Sequence, residues 1–577
     1  MRTIADQIIR ALQYAGVQHL FGMPGGGSNA DLIEGASRAH LPFSLAHSET
    51  ASAFMATGLA EVTGRPGACM ATLGPGAASL MNGVANARLD RVALMVLTDC
   101  HTDAIAMMQH QSLPQLEMFA PLVKWSARLS VNNVSEMLQQ AIDALTSLPG
   151  GPVHLDVSTQ ETSATANSSE KQYGEYRVGA STRELAERQE EILGPQVTMG
   201  DDRTPSAQSS SMLPYSSTVG PIPVTVDVRK ILQEARRPAF LIGLGGRTTA
   251  IAVAVRKMCE SFGIPALVTY KAKGVVPDRH PWFAGVVTNG ALEREVLDLA
   301  DLFLAIGLDP VELIPRPWSW HQPTIAINAW PMKQNQIPVF REFAGDVVAR
   351  LREISTFLRP KTEWTESGVR KLTNAQRDRM RPCGERGEFL AHEVIDVVAD
   401  EYLGARATVD AGAHMFSVMS MWPAFEPSGV LISNGLSTMG FALPAAIGAA
   451  LADRSKPIIA FTGDGGLLMC VGELRTAARE ALPLRIVVFD DGELSLIKIK
   501  HIKSKRLADA VSIGEVDWPA VGTGLGVLTR QADSPEMLRS CLRETFGHPG
   551  PVLIASKIAV EPYQVTLRAL RGVVPAT

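Results

Sequence analysis

Two acidic side chains in the C-terminal third of the sequence each follow an apolar run that is typical of a buried strand. Asp464 stands in the Gly-Asp-Gly-Gly run at 463–466, and Asp491 follows the second run, with 24 residues between Gly465 and Asp490. Parallel α/β sheets bind ligands at the carboxyl ends of their strands, and glycines beside Asp464 let the backbone come close to a phosphate. The pattern therefore indicates a phosphate site at which Asp464 and Asp491 hold a hard cation such as Mg²⁺.

The elements that must position these residues recur along the whole chain, which at 577 residues is too long for one hydrophobic core. Short apolar runs alternate with helical patterns in residues 1–162, 222–358 and 388–577. This alternation is typical of βαβ units and parallel sheets. We expect an α/β protein with three Rossmann-like, doubly wound parallel-sheet domains. A polar linker or insertion at 163–221 and a charged linker at 359–387 would separate them.

The composition argues against several functional classes. The formal net charge of −5 disfavours broad affinity for nucleic acid or an anionic membrane. The six cysteines are scattered without a C-x-x-C pair, which favours a reducing compartment and predicts a cytoplasmic protein. Residues 1–17 are typical of an amphipathic helix and not of a signal peptide. The apolar stretch at 429–452 fits a buried helix of an α/β core better than a membrane span.

The acidic pair and its spacing resemble the metal–diphosphate motif of the thiamine diphosphate-dependent superfamily, which includes acetolactate synthase and pyruvate decarboxylase. In that family a Gly-Asp-Gly run is followed at this distance by two asparagines, whereas this chain has Asp490 and Asp491. The resemblance implies metal ligands at Asp464, at Asp491 and at the backbone carbonyl of Glu493. The second carboxylate adds negative charge beside the diphosphate, so we expect a stronger demand for the cation.

Two upstream segments resemble further parts of the family pattern. A D-x-G-x-H segment ends at His414 and would contact the diphosphate. The block at 433–448 is similar to G-x-G-T-M-G-x-x-L-P-A-A-I-G, with Ser437 in place of the second glycine. The resemblance implies that Met439 wedges the cofactor into a bent shape, and that a carbonyl near Ser437 accepts a hydrogen bond from its amino group. The cofactor contacts implied in this region are Gly412, His414, Ser437, Met439, Gly463, Asp464, Gly465, Gly466 and Asp491.

The first segment supplies an acid for the same chemistry. Glu49 follows a strand-like run and opens a helical stretch rich in small residues, so we expect it to be partly buried. Its E-x-A-x-A-x-x-A setting resembles the one in which a family glutamate bonds the aminopyrimidine ring and activates the cofactor. A solvated or helix-capping acid is the alternative. Glyoxylate carboligases carry valine at this place, so Glu49 argues against that branch.

Four weaker matches lie on either side. The glycines that include Gly25 and Gly26 resemble the P-G-G of acetolactate synthases, and a T-x-G-P-G block follows at Thr72. Gln111 falls where synthases carry an active-site glutamine, with His110 in place of their phenylalanine. After the metal motif, Lys498 and Lys500 stand near the place of a synthase tryptophan. We hypothesise that one of these lysines selects an anionic acceptor, although a solvent-facing basic helix explains the pattern as well.

The resemblance implies an acetolactate synthase-like carboligase that uses thiamine diphosphate and Mg²⁺. It would decarboxylate a 2-oxo acid and transfer the resulting acyl-anion equivalent to a carbonyl acceptor. A C–C bond hydrolase, a 2-hydroxyacyl-CoA lyase and a non-catalytic paralogue stay open as alternatives. Because the family joins the pyrimidine domain of one chain to the diphosphate domain of another, we expect a homodimer or homotetramer. FAD is undecided, since the glycine turn at 243–246 falls short of G-x-G-x-x-G.

Overall fold

The computed structural model describes residues 3–101, 109–165, 223–332, 334–506 and 509–572. Three sheets of six strands each lie in this part of the chain, and their strand pairs are parallel. The predicted class, three doubly wound α/β domains, is therefore confirmed. The predicted domain boundaries stay a prediction. The polar segment expected at 163–221 lies, apart from its first three residues, outside the described residues.

By its contacts the chain divides into two compact units, Met1–Leu45 with Thr63–Gly220, and Ala46–Val62 with Pro221–Thr577. The first unit contains one of the three six-stranded sheets. Its inner strands are buried at nearly every position because helices cover both faces. The N-terminal amphipathic helix is confirmed, and it begins at a capping box in which Thr3 and Asp6 bond each other's backbone amides.

The elements of the first unit have the following bounds. The strands are β1 Leu20–Met23, β2 Phe43–Leu45, β3 Gly67–Ala71, β4 Leu94–Asp99, β5 Ser126–Arg128 and β6 Pro152–Val157. Their order in the sheet is β2-β1-β3-β4-β6-β5. The helices are α1 Ile4–Tyr14, α2 Ser28–Arg38, α4 Pro75–Ser79, α5 Met81–Leu89, α6 Gln115–Phe119, α7 Val134–Thr146 and α8 Thr159–Thr162. Helix α3, Glu49–Thr63, belongs almost entirely to the second unit.

The second unit contains the other two sheets. The strands of its first sheet are β7 Pro238–Ile242, β8 Ala266–Val268, β9 Phe283–Val286, β10 Leu302–Ile306, β11 Thr324–Asn328 and β12 Arg341–Ala344. The helices that accompany them are α9 Val226–Glu234, α10 Thr249–Phe262, α11 Arg294–Leu297, α12 Val347–Ser355 and α13 Glu366–Arg379. Helix α13 lies within the stretch predicted as a charged linker, and it packs on β9 through hydrogen bonds from Thr373 and Gln376.

The last sheet of the second unit holds the two strands that were predicted to carry the acidic pair. Its strands are β13 Arg406–Val409, β14 Val430–Ile432, β15 Ile458–Gly463, β16 Leu484–Asp490, β17 Leu528–Ala532 and β18 Val552–Lys557. Its helices are α14 Ala391–Glu401, α15 Ala413–Met421, α16 Ala442–Ala452, α17 Asp464–Met469, α18 Glu473–Arg479, α19 Ser495–Lys503, α20 Trp518–Leu525, α21 Pro535–Glu544 and α22 Tyr563–Arg571.

Strand order determines where each sheet can bind a ligand. The sheet of β7–β12 has the order β12-β11-β10-β7-β8-β9, so the chain reverses direction across the sheet between β7 and β10. The sheet of β13–β18 has the order β14-β13-β15-β16-β18-β17 and reverses between β13 and β15. Ligands of doubly wound sheets bind beyond the carboxyl ends of the strands at such a switch point. Residues that follow β7, β10, β13 and β15 are therefore expected to lie at the ligand sites.

The apolar stretch at 429–452 forms β14 and the buried helix α16, as predicted. Helix α3 packs closely against α16. A Cβ on Gly58 would lie 2.4 Å from the carbonyl oxygen of Ala445, and one on Gly448 would lie 1.9 Å from that of Met55. The small residues of both helices are thus needed for their contact. Among the described residues, no helix has the length and apolar character needed to cross a membrane.

A buried group of charges joins α3 to the rest of the second unit. Glu61 of α3 accepts from Nη1 of Arg247 and from Nζ of Lys271, both at 2.6 Å, and the three side chains are 2%, 6% and 0% exposed. Lys271 also donates to the carbonyl oxygen of Ile432, at the end of β14. Burial alone would raise the pKa of Glu61, but the two cations hold it below its ordinary value.

We predict that Glu61→Ala lowers the free energy of unfolding by about 3–5 kcal/mol, because it leaves buried cations without their partner. Chemical denaturation followed by circular dichroism measures the change. Glu234→Ala serves as the control, since Glu234 is exposed and forms only a surface pair with Lys230. Equal stability of the two variants would contradict the prediction.

Candidate active site

The switch point between β13 and β15 opens into a cavity of about 780 Å³. The predicted residues that line it are Gly412, His414, Ser437, Met439, Gly463, Asp464, Gly465, Gly466, Asp491, Glu493 and Lys500. They come from four separate segments of the chain, 412–414, 437–439, 463–466 and 491–500. The structure thus brings together nearly all of the residues predicted in this half of the chain.

Asp464 and Asp491 follow neighbouring parallel strands, since β15 pairs with β16. One carboxylate oxygen of Asp464 accepts from the amide of Gly465 at 2.6 Å and the other from the amide of Gly492 at 2.7 Å. Asp491 accepts from the hydroxyl of Ser495 at 2.7 Å and from the amide of Glu493 at 3.1 Å. These bonds fix both carboxylates at the cavity edge while each oxygen keeps a lone pair free.

The two carboxylates are held where their charge is unfavourable. Burial raises the pKa of Asp464 to about 6. Burial also raises the pKa of Asp491 to about 7, and the negative charge of Asp464 adds to the effect. Such an arrangement favours a bound cation, which would offset both the desolvation and the mutual repulsion.

His414 contributes a neutral ring to the same edge. It is buried, stacks on Phe489 at a centroid distance of 5.0 Å, and its Nε2 has no hydrogen-bond partner among the described residues. Burial lowers the pKa of His414 to about 3, so the imidazole is uncharged at neutral pH. A Cβ on Gly412 would lie 2.5 Å from Cε1 of His414, so the absence of a side chain there makes room for the ring.

The first acid of the D-x-G-x-H segment has a structural role. Asp410 is buried and accepts from the amides of Phe441 and Ala442, both at 2.7 Å, and from the hydroxyl of Thr462 at 2.6 Å. It thereby caps α16 and ties that helix to β15. Ser437 has a positive φ of 55°, a backbone conformation that suits glycine and that few other residues adopt. This backbone conformation explains why the family has a glycine at this position.

Comparisons with known proteins bear on what this edge binds. Domain models of thiamine pyrophosphate enzymes match the N-terminal TPP binding domain to residues 2–118, the central domain to 226–354, and the C-terminal TPP binding domain to 410–556. Together they match more than half of the chain, and the last of them contains the cavity edge described above. The chain belongs to the thiamine pyrophosphate enzymes.

Its relatives include several acetolactate synthases. The chain is 26% identical to acetolactate synthase of Bacillus subtilis (strain 168), across 95% of this chain and 92% of the relative. It is also 26% identical to the acetolactate synthase isozyme 1 large subunit of Escherichia coli (strain K12), across 97% and 94%. This thiamine pyrophosphate enzyme is therefore similar to acetolactate synthases over most of its length.

The residues present fit thiamine diphosphate. The unpaired Nε2 of buried His414 can bond a phosphate oxygen, and the glycines that surround Asp464 leave the backbone accessible from the cavity. For the metal, the chain offers two carboxylates and the carbonyl of Glu493. No cluster of three or more His, Cys, Asp or Glu side chains suited to a metal occurs in the described ranges. The remaining ligands of a Mg²⁺ ion would have to come from the diphosphate and water.

The glycine turn after β7 does not fit the pyrophosphate of a flavin dinucleotide. All four of its amides are bonded within the protein: Gly243 to Ile306, Leu244 to Glu312, Gly245 to Gly307 and Gly246 to Gly243. A Cβ on Gly243 would lie 2.5 Å from Cα of Leu308. The glycines are needed because this turn packs against the end of β10, and no amide is left for a phosphate.

The remaining predicted residues are placed differently. Lys498 donates to Oε1 of Glu493 at 2.5 Å and is not among the residues that line the cavity, whereas Lys500 is. Glu49 is half-buried at the start of α3, as expected, but it does not line the cavity either. The amides of His47 and Ser48, just before Glu49, donate to Glu473 of α18 at 2.9 and 3.1 Å. Glu473 therefore fixes the segment that presents Glu49.

The other candidates lie in the first unit. Gly25 packs on Thr72, where a Cβ would meet Oγ1 at 2.3 Å, whereas a Cβ on Gly26 would meet nothing within 4 Å. Gln111 and His110 are exposed in a turn, and the carbonyl oxygen of Gln111 lies 2.4 Å from the place of a Cβ on Gly74. Gly25 therefore packs on the T-x-G-P-G block at Thr72, and Gln111 lies against Gly74 of that block. The roles of these four residues stay predictions.

Three cavity residues escape the sequence analysis. Tyr270 follows β8, Glu312 follows β10, and Arg571 ends α22, and all three line the cavity. Burial raises the pKa of Glu312 to about 8. The position of Glu312 beyond the switch strand β10 is the one signal that marks it in advance, because parallel sheets bind ligands there.

Proposed function

We propose that this thiamine pyrophosphate enzyme decarboxylates a 2-oxo acid and joins the remaining acyl unit to a carbonyl acceptor, with Mg²⁺ as its metal. The observation that carries the proposal is the edge of the cavity at the switch point between β13 and β15. Asp464, Asp491 and Met439 line this edge together with His414, whose Nε2 has no hydrogen-bond partner among the described residues. The likeness to acetolactate synthases over the whole chain supports the same reaction class.

Thiamine diphosphate supplies a carbon nucleophile for carbonyl groups, and the chain provides placement and proton control. Asp464, Asp491 and the carbonyl of Glu493 would hold Mg²⁺. His414 would donate from or accept at Nε2 toward the diphosphate. Met439 would set the cofactor's bend from the cavity wall, since its side chain lines the cavity. Apolar residues that line the same cavity, among them Met415 and Phe416, would help to exclude water from the bound cofactor.

Glu49, the acid that the family resemblance assigns to the aminopyrimidine, does not line the cavity of its own chain. We propose that Glu49 of the partner subunit reaches it in a homodimer, alone or within a tetramer. Anchoring by Glu473 and the packing of α3 on α16 would hold each Glu49 in a fixed place on its own chain. A symmetric dimer would then contain two equivalent sites.

We predict that Glu49→Gln abolishes decarboxylation, lowering kcat by at least about 100-fold, because general acid–base catalysis typically contributes that much. Purified protein with thiamine diphosphate, Mg²⁺ and a panel of 2-oxo acids, with and without aldehyde or ketone acceptors, is assayed for CO₂ and coupled products by mass spectrometry. Calorimetry of cofactor binding shows whether the variant still loads. Wild-type protein that loads but turns over no 2-oxo acid would refute the proposed reaction.

A subunit-mixing experiment tests whether two chains share each active site. Mixing Glu49→Gln with Asp464→Asn subunits should restore up to about a quarter of wild-type activity, since half of the dimers are mixed and each then holds one intact site. If Glu49 served the cavity of its own chain, every site in the mixed dimer would carry one defect. Absence of any recovery after verified subunit exchange would therefore contradict the arrangement.

Removal of the Asp491 carboxylate tests whether this residue binds the metal. We predict that Asp491→Asn raises the Mg²⁺ concentration needed for half-maximal cofactor binding by about tenfold, because ligand charge sets the affinity for a hard cation. Titration of Mg²⁺ at fixed thiamine diphosphate, followed by intrinsic fluorescence, gives the value. Asp490→Asn is the matched control, since the neighbouring Asp490 does not line the cavity. An equal change in both variants would argue against Asp491 as a ligand.

Only one of the two candidate lysines lines the cavity, and it has no ion pair with a described residue. We therefore propose that Lys500 binds an anionic group of the substrate, and we predict that Lys500→Met raises KM about tenfold with a smaller change in kcat. Steady-state kinetics measure both. Lys503→Met changes a lysine of the same helix that does not line the cavity, and it should leave KM unchanged. A KM unaffected by Lys500→Met would eliminate this role.

A further inference from the structure

The cavity extends from the diphosphate edge to the sheet of β7–β12. Tyr270 and Thr288, which follow β8 and β9, line that second end together with Arg571 of α22. None of these residues belongs to the group that would hold the cofactor or its metal. Because the glycine turn after β7 offers no free amide, this end is not equipped for a dinucleotide phosphate.

Polar atoms at this end lack partners within the described protein. Tyr270 is only 5% exposed and its hydroxyl has no hydrogen-bond partner. The Nε of Arg571 is buried and equally without a partner, while its guanidinium lies 5.6 Å above the ring of Phe416. A buried donor left unpaired is costly. Two of them on one cavity wall indicate a ligand that accepts hydrogen bonds there.

Charges of both signs lie around this end. Burial and the negative charge of Glu293 raise the pKa of Tyr270, whereas the positive charge of Arg571 opposes them. Arg316 brings a second cation close to Arg571, since it donates to the backbone carbonyl of Arg571 at 3.1 Å. The two neighbouring acids are Glu293 and Glu312. Burial raises the pKa of both, that of Glu312 to about 8, so they oppose an incoming anion less than ionised carboxylates would.

The lining of the cavity also includes apolar residues. They are Val311, Leu313, Met415, Phe416 and Leu496. A substrate that reaches from one end of the cavity to the other would contact this lining with an apolar stem, because polar groups there would lose their hydration without gaining partners.

We propose that Tyr270 and Arg571 form a subsite for an anionic group at the far end of the substrate, such as a second carboxylate carried on a short apolar stem. The proposal rests on the proposed function, since it places the reacting carbonyl beside Met439, at the end of the cavity that would hold the cofactor. The anionic group belongs either to the 2-oxo acid donor or to the carbonyl acceptor.

Calorimetry on the protein loaded with thiamine diphosphate and Mg²⁺ tests the subsite without turnover. The probes are adipate and hexanoate, which have equal chain length but differ by one carboxylate. Wild-type protein should bind adipate at least about tenfold more tightly. Arg571→Met should bring the ratio close to one, and Tyr270→Phe should reduce it while removing only the hydroxyl. Arg568→Met is the matched control, because Arg568 is exposed on the same helix.

Steady-state kinetics then show whether the anionic group belongs to the 2-oxo acid donor or to the carbonyl acceptor. One arm uses a dicarboxylic 2-oxo acid with a neutral aldehyde, and the other uses pyruvate with an acceptor that carries a carboxylate. Arg571→Met should raise KM in one arm and leave the other unchanged. Equal binding of adipate and hexanoate by the wild type, or a ratio that Arg571→Met does not alter, would overturn the subsite. Lack of turnover in both arms would instead refute the proposed function, because the binding ratio is measured independently.

Discussion

Glu61 brings one negative charge to a place where Arg247 and Lys271 have both been removed from water. Arg247 stands just after the glycine turn of β7, and Lys271 stands just after β8. Since Lys271 also donates to Ile432, one carboxylate links α3, the sheet of β7–β12 and the strand that leads into the block with Met439. Loss of Glu61 would leave buried cations unpaired, so the positions of these three parts depend on each other. The helix that begins with Glu49 is thereby coupled to the wall of the cavity.

The cavity edge shows how the chain separates structural from functional acids. Asp410 accepts hydrogen bonds from two amides and a hydroxyl, which stabilise the buried carboxylate as a helix cap. Asp464 and Asp491 accept fewer bonds and repel each other, so their site favours a cation. His414 stays uncharged beside them. The negative charge at this end is therefore concentrated on the two acids that face the proposed metal.

Much of this could be predicted from local pattern. The apolar runs before Asp464 and Asp491 are β15 and β16, because strands buried on both faces are apolar at nearly every position. Tyr270, Glu312 and Arg571 could not be found in that way. They are brought together only by strand order and by the return of α22, and no short motif encodes a contact between residues so far apart. Glu61 sits in a helix of small residues and resembles an ordinary helix acid until its two partners are seen.

The glycine turn at 243–246 shows why a run of glycines after a strand does not by itself predict a phosphate site. Glycines after a first strand serve equally well to admit a phosphate or to let two backbones approach, and the sequence is the same in both cases. Here Gly307 of the neighbouring strand end and the carboxyl of Glu312 take the amides of the turn. The switch point of this sheet is thus closed by the protein itself, whereas the switch point between β13 and β15 leaves the Nε2 of His414 unpaired. Two sheets built on the same rule therefore present a closed and an open ligand edge. The cofactor would be confined to one end of the cavity, and the end near Arg571 is left for the substrate.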